Sequence, residues 1–395
     1  MSEHNGSRLQ GREVVIVEAA RTPVGRGHPE KGWLRDIHPN ELLGTVYRAV
    51  IERAGIEPEL VEDVVAGAVT QVGEQSNNIA RNAWLQAGLP VTTPGSTVDR
   101  QCGSGQQAVS FAAGLIATGV HDVMIGAGVE HMGRVPMGSN VAHADEFGTP
   151  FPPELMARYD LIPQGLSAEL IAEQWEVTRA EQDELGLRSH RLAARATDEG
   201  RFEREIVPIG VNGSTVATDQ GIRWDTSLEQ LAGLKPAFKP GGTVTAGNSS
   251  QISDGAAAVL MMSREKAERL GLTARARIYD ATTVGVDPVI MLTGPIPATQ
   301  QLLRRNGMTI GDLDLIEINE AFASVVGAWR RELNPDMDRV NVNGGALALG
   351  HPLGSSGARL ITTLLHELER SDGELGLVTM CTAGGTGTGT ILQRV

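Results

Sequence analysis

The chain holds two cysteines, and both stand at glycine-rich turns. Cys102 lies in Asp99-Arg100-Gln101-Cys102-Gly103-Ser104-Gly105, just ahead of a predicted helix over 105–118. A thiol at the positive end of a helix dipole is expected to have a lowered pKa and a larger thiolate fraction. Flanking glycines admit a substrate and backbone N–H donors close to the sulfur. The alternative is a buried structural cysteine ahead of a helix. Cys381, in Met380-Cys381-Thr382-Ala383-Gly384-Gly385, ends a predicted strand over 376–381. Ligands of open α/β sheets gather at such carboxyl ends. His351 sits between glycines and before proline in the run 344–354, a tight-loop setting; the alternative is a plain surface histidine. Asn319 follows a predicted strand over 315–318 and can orient a water there or simply cap a helix, with Glu320 as an acid in the first turn.

Cysteine, histidine and asparagine together also suit a papain-like hydrolase. The second thiol points elsewhere. A reaction that forms an acyl-enzyme and also moves a proton on carbon needs a nucleophile and a separate acid/base. No HxxxH, HExxH or CxxC spacing is present, so no metal site is expected. Gly103-Ser104-Gly105 is too short for a phosphate loop or a dinucleotide fingerprint.

Short apolar runs alternating with helical patterns must position these groups. Strands are predicted at 14–17, 64–69, 122–127, 256–262, 277–282, 315–318, 340–342 and 376–381, with helices at 41–54, 78–86, 105–118, 264–270 and 357–368 and another ending at Trp329. Such alternation argues for parallel α/β layers. The middle differs: 132–153 and 202–234 read as irregular loop, and 167–175 and 179–198 as charged surface helices. Loops of that length usually serve function, often as a substrate cover. An internal repeat is also visible. CGSGQQAVSFAAGLIATGVHDVMIGAG and LGSSGARLITTLLHELERSDGELGLVTMC share the order glycine turn, helix, turn, buried strand. Packed face to face, two such units bring two glycine-rich helix starts to one centre.

With 395 residues the chain has room for about two or three domains of roughly 150 each. Hydrophobic residues at 41% and charged residues at 21% exclude a mainly disordered chain. The formal charge of -14 leaves no basic footprint for nucleic acid, and aromatics at 4% are too few for base stacking. The start MSEHNGSRLQGREVV is polar, so no secretory signal is expected. The most apolar stretch, 109–129, is broken by His121-Asp122 and glycines, so no transmembrane helix is expected. A cytoplasmic protein with reduced thiols is the expectation.

DRQCGSGQQA (99–108), VTAGNSSQISDGAAAV (244–259), GVDPVIMLTGPIPA (285–298), NEAFA (319–323) and GGALALGHPLGSSGAR (344–359) resemble signatures of the thiolase family, in family order and nearly end to end. The resemblance implies a five-layered αβαβα fold of two duplicated βαβαβαββ halves with an inserted loop domain. It divides the chain into an N-terminal half (1–130 plus 245–275), a loop domain (131–244) and a C-terminal half (276–395). It implies that Cys102 is the acyl-bearing nucleophile, His351 its base, Cys381 the acid/base at the α-carbon, and Asn319 the holder of a water at the enolate oxygen. The backbone N–H groups of Cys102 and Ala383 would bind the other oxyanion. Arg223 would meet the nucleotide of coenzyme A, a co-substrate rather than a resident cofactor, and Phe238, Ala246 and Ser250 its pantetheine. Met291 and Phe322 would wall the acyl pocket. The partners implied are acyl-CoA and CoA, with assembly as a homodimer or homotetramer.

The run CTAGGTGTGT departs from the usual CxGGG, with Ala383 where the family usually has glycine. Ile162-Pro163-Gln164-Gly165 stands where short-chain members carry His-Met-Gly, and Gln251 where glycine is common. With QVGEQSNNIAR (71–81), these departures resemble degradative actinobacterial members acting on lipid or steroid side chains. A thiolase-like carrier without catalysis and a ketoacyl-carrier-protein synthase remain alternatives. The latter branch usually has histidine where Cys381 stands.

Overall fold

The structure, a computed structural model, describes residues 11–395, so the polar opening and the start of the N-terminal half lie outside the described residues. The strands that matter are β1 (Val14–Arg21), β2 (Asp63–Gly67), β3 (Gly95–Val98), β4 (Val123–His131), β5 (Ser253–Ser263), β6 (Ala276–Gly285), β7 (Leu315–Ile318), β8 (Leu375–Thr382) and β9 (Thr386–Arg394). The main helices are α1 (Pro39–Ala54), α2 (Ile79–Gln86), α3 (Ser104–Ala117), α4 (Gln164–Gln174), α5 (Arg179–Asp198), α6 (Pro295–Asn306), α7 (Ala323–Leu333) and α8 (Leu353–Ser371).

The strands run in the order β7-β8-β9-β6-β1-β5-β4-β2-β3, and β1 and β6 join the two halves through Val15↔Arg277 and Ile16↔Ala276. The first half, from its outer edge, reads β3-β2-β4-β5-β1. In the second half Val340 makes a single parallel bridge to Ile316 on β7, followed by β8, β9 and β6. Both halves thus follow the order third, second, fourth, fifth, first. The strand expected over 340–342 shrinks to that bridge because Asn341 turns left-handed (φ 46) and spends its side chain on the Ile318 N–H and carbonyl.

α3 and α8 are the equivalent helices of the two halves and lie together between the sheets, with α1 and α2 outside one sheet and α6 and α7 outside the other. On α8, Leu360, Ile361, Leu364, Leu365 and Leu368 are all buried in that central layer, at roughly 1.5–3 kcal/mol each. Glycine makes the crossing possible. A Cβ on Gly105 would stand 2.6 Å from the Gly354 carbonyl oxygen, and one on Gly357 would stand 2.2 Å from the Gln106 nitrogen. The two glycine-rich helix starts therefore meet, as the repeat predicts.

No strand of the large sheet falls between 132 and 252. α5 coincides with its expected span, and Thr178 closes a capping box with Glu181 at its start. The 202–234 stretch is more ordered than expected, with a two-stranded ribbon Ile209–Val211/Ser214–Val216 and a helix Leu228–Ala232. The 132–153 stretch includes short helical turns at Ser139–Val141 and Ala144–Phe147. Buried Arg21 on β1 anchors this region, donating to Glu205 at 2.5 Å and Asp219 at 2.7 Å.

Candidate active site

Cys102 precedes α3, and Cys381 is the penultimate residue of β8. One buried side chain fixes their relation. Gln106, one turn into α3, donates from Nε2 to the Val378 carbonyl at 3.2 Å and to Thr390 Oγ1 at 2.8 Å. Its Oε1 accepts from Thr388 at 2.6 Å. Val378 lies on β8; Thr388 and Thr390 lie on β9 and pair with Met380 and Val378. The helix that follows one thiol is thus bonded to the strand that carries the other. A Cβ on Gly103 would stand 2.8 Å from the Thr382 methyl carbon, so the turn at Cys102 packs directly on the end of β8. Both thiols are free and buried, and a charge on Cys102 is felt at Cys381.

The expected low thiol pKa does not arise. Burial pushes Cys102 up to about 11, outweighing the Ala383 and Cys102 N–H groups that hydrogen-bond its sulfur. Burial, with Cys102 nearby, raises Cys381 further. The resting site holds neutral thiols, and a thiolate at Cys102 requires a base at hand. The two N–H groups on the sulfur are those expected for an oxyanion pair, and exchanging glycine for Ala383 leaves that donor in place.

His351 is not a surface histidine; it is buried just ahead of α8. Ser356 Oγ donates to the Pro352 carbonyl at 2.9 Å, so it accepts from His351 Nδ1–H at 2.5 Å. That leaves the Nε2 lone pair, which receives Asn319 Nδ2 at 3.3 Å. A neutral imidazole with its lone pair on Nε2 is the form a base needs. Asn319 is fully buried and caps no helix, and among the described residues its Oδ1 has no partner. Glu320 also departs from expectation. α7 starts at Ala323, and the buried Glu320 carboxylate accepts from Ser189 at 2.6 Å and Asn341 at 2.9 Å.

Two positioning roles escaped the sequence reading, although Gln251 itself stands out there as occupying a common glycine position. Glu130 at the end of β4 accepts the N–H groups of Val69, Thr70 and Gly354 at 2.9–3.0 Å and Gln75 Nε2 at 2.7 Å, tying the start of α8 to the first half. Gln251 donates to the carbonyls of Gly221, Leu347 and Ala348, while its own carbonyl accepts from the His351 N–H at 3.2 Å. No local pattern marks either role, since the partners are far away in sequence.

Five of the six expected CoA and acyl contacts converge. Ala237 N–H bonds the Val244 carbonyl and Ser250 N–H the Ala321 carbonyl, which brings Phe238, Ala246, Ser250 and Phe322 to one patch. The Phe238 and Phe322 rings meet edge-on at 5.9 Å. Met291 and Phe322 share a buried cluster with Cys381, against which Ala383 packs, while Phe238 and Ala246 are exposed. The patch therefore leads from the surface towards the thiols. Arg223 is exposed farther out, its N–H bonded to His190 Nδ1 at 3.1 Å. A separate cavity of about 790 Å³ opens at Cys102, lined by Val69, Thr70, Asp99, Gln101, Leu353, Gln164 and residues of the 137–151 segment.

Buried histidines contribute an acid-sensitive part of the fold's stability. Burial lowers His351 to about 3, His366 to about 3 and His190 to about 4, from an ordinary 6.5. Arg275 donates to His366 Nδ1 at 3.2 Å, and the Arg223 N–H donates to His190 Nδ1, so protonation would break both bonds. Below 6.5 the unfolded chain takes up protons that the folded chain refuses. These histidines therefore contribute stability that is lost as pH drops from 6.5 towards 3–4, by about 2 kcal/mol each at pH 5, against an opposite trend from Glu317, whose carboxyl group burial raises to about 8. Urea unfolding of the chain and of His366→Leu at pH 7.5 and pH 5 isolates one histidine: the variant's deficit should narrow by about 2 kcal/mol at pH 5, and an unchanged deficit would contradict it.

Two facing α/β halves that bring two buried thiols close together, one of them opening on a cavity, mark an acyl-transferring enzyme. The chain belongs to the thiolase family: residues 14–265 match the thiolase N-terminal domain and 272–394 the C-terminal domain. It is 46% identical to the steroid 3-ketoacyl-CoA thiolase FadA6 of Mycobacterium tuberculosis, over 99% of this chain and 96% of that protein. It is also 46% identical to a 3-ketoacyl-CoA thiolase of Psychrobacter cryohalolentis, over 98% and 99%. The crystal structure of the Bacillus anthracis acetyl-CoA acetyltransferase superposes with a TM-score of 0.89 at 39% identity, covering 99% of this chain and all of that one.

Proposed function

We propose that this chain cleaves 3-ketoacyl-CoA with coenzyme A, giving acetyl-CoA and a shortened acyl-CoA, and that it runs the reverse Claisen condensation through the same groups. The observation that carries this reading is the convergence of Cys102 and Cys381 from separate halves; His351 is read as their base. Cys102 gives its proton to His351 Nε2 and its sulfur attacks C3. The C2–C3 bond breaks, and the electron pair leaves on C2 as the acetyl-CoA enolate. Cys381 donates a proton to C2 and is restored by the proton on His351. CoA then passes its thiol proton to His351, its sulfur attacks the thioester carbonyl, and Cys102 leaves and regains that proton. The N–H groups of Cys102 and Ala383 stabilise the oxyanion at the thioester carbon. Asn319, with a water and His351, stabilises the enolate oxygen.

Coenzyme A is read as entering over Arg223, Phe238, Ala246 and Ser250 towards Phe322 and Met291, as co-substrate. The division at 1–130 plus 245–275, 131–244 and 276–395 is part of the same reading, supported by the absence of large-sheet strands from 132–252. So is a homodimer or homotetramer. β3 pairs only with β2, and beside it Val98, Phe111 and Leu115 line an apolar groove, with Phe111 47% exposed. Two free thiols suit a reducing cytoplasm, and among the described residues no helix is long and apolar enough to cross a membrane.

The purified chain, mixed with acetoacetyl-CoA and CoA, is expected to remove the enolate absorbance. No turnover of it or of longer 3-ketoacyl-CoAs would refute the proposal and favour a carrier.

A further inference from the structure

We infer that the cavity at Cys102 takes an acyl group carrying a further neutral oxygen, a keto or hydroxyl group beyond the cleaved bond, in preference to a plain alkyl chain. The inference rests on the proposed thiolysis and narrows its substrate class. A volume of about 790 Å³ is in the range that encloses a drug-sized ligand, far beyond the need of an acetyl unit. Its wall is mixed: Val69, Met137, Pro150 and Leu353 add apolar surface, and polar side chains interrupt it. Apolar Val141, Phe147 and Phe151 alternate along the cover segment with Asn140 and Thr149, and Gln164 closes the wall at the start of α4.

The carboxamides of Asn140 and Gln164 have no hydrogen-bond partner among the described residues. Beside the nucleophile, Gln101 is held left-handed (φ 49), its N–H bonded to Asp99 Oδ1 at 2.7 Å and its Nε2 to the same carboxylate at 3.2 Å. A plain alkyl chain would strip water from these amides and return nothing, whereas an oxygen bonds them. No cationic side chain lines the cavity and Asp99 contributes a negative charge, so an acyl group ending in carboxylate has no counter-charge there. The favoured oxygen is therefore uncharged.

The test compares 3,7-diketooctanoyl-CoA with 3-ketooctanoyl-CoA, equal in length and differing by one oxygen on the part retained by Cys102. The chain is expected to favour the diketo substrate about tenfold or more in kcat/KM. Asn140→Leu with Gln164→Leu is expected to bring that ratio to about one, mainly by slowing the diketo substrate. Asn140 is exposed, so Asn140→Leu alone keeps the test open if the double variant folds poorly. A ratio at or below one in the unaltered chain overturns the inference, as does a high ratio that the substitutions leave unmoved. Failure to cleave any substrate, acetoacetyl-CoA included, would instead remove the thiolase reading on which it rests.

Discussion

Cys102→Ser is expected to abolish acyl-enzyme formation and to lower thiolysis by about 10⁴-fold or more, the scale seen when a covalent nucleophile is lost. The cause lies in the state of the site. Burial pushes the thiol up to about 11, so even sulfur is ionised only with the help of a base, the place proposed for His351. A hydroxyl at the same place is a far weaker acid, and the ester it forms is a poorer acyl donor than a thioester. The substitution changes one atom in a buried position, and the Gln106 bonds that hold α3 to β8 and β9 are untouched. The fold is therefore expected to survive, with a melting temperature within a few degrees of the original. Intact-protein mass after mixing with acyl-CoA is the decisive measurement. An acyl adduct on the serine variant, or more than about a hundredth of the original rate, would remove Cys102 from its assigned place.

Cys381→Ala is expected to separate the two halves of the reaction. The variant keeps Cys102, His351 and the two backbone donors, so it should still take an acyl group from acyl-CoA and return it to CoA. It lacks the proton donor for C2, so cleavage of 3-ketoacyl-CoA is expected to fall by about 10²–10⁴-fold, the contribution of a positioned acid/base. The effect should appear in kcat. Removing a buried sulfur also leaves a small void on β8, with an expected cost of about 1 kcal/mol. A structural role alone would lower acyl exchange and carbon–carbon cleavage together. Normal thiolysis by this variant would refute the assignment.

Much of the site was legible because its residues are locally unusual. Cys102, His351 and Cys381 each stand among glycines, in settings where packing has little use for a thiol or an imidazole. The repeat around α3 and α8 was legible too, since a glycine turn, a helix and a buried strand recur in the same order. Elements whose local pattern contradicts their final state were missed. β9 opens as Thr-Gly-Thr-Gly-Thr and reads as a loop, yet a Cβ on Gly387 would stand 2.5 Å from Gly294, so glycine is what lets the start of α6 lie on that strand. α6 itself opens with two prolines, which only a first helical turn tolerates.

By itself, then, the sequence determined the chemistry on offer, the doubled architecture and the long irregular insertion, because residue type, order and periodicity are properties of the chain read locally. The tertiary structure decided what those groups become. It raised a thiol whose helix position argued for lowering, and it fixed which nitrogen of His351 carries the proton. It also turned Glu320 from a helix acid into a buried acceptor. The thiol and Glu320 outcomes depend on burial and on partners far apart in the chain, which exist only once it has folded, whereas the His351 tautomer rests on Ser356, five residues on, whose hydroxyl is turned to the Pro352 carbonyl.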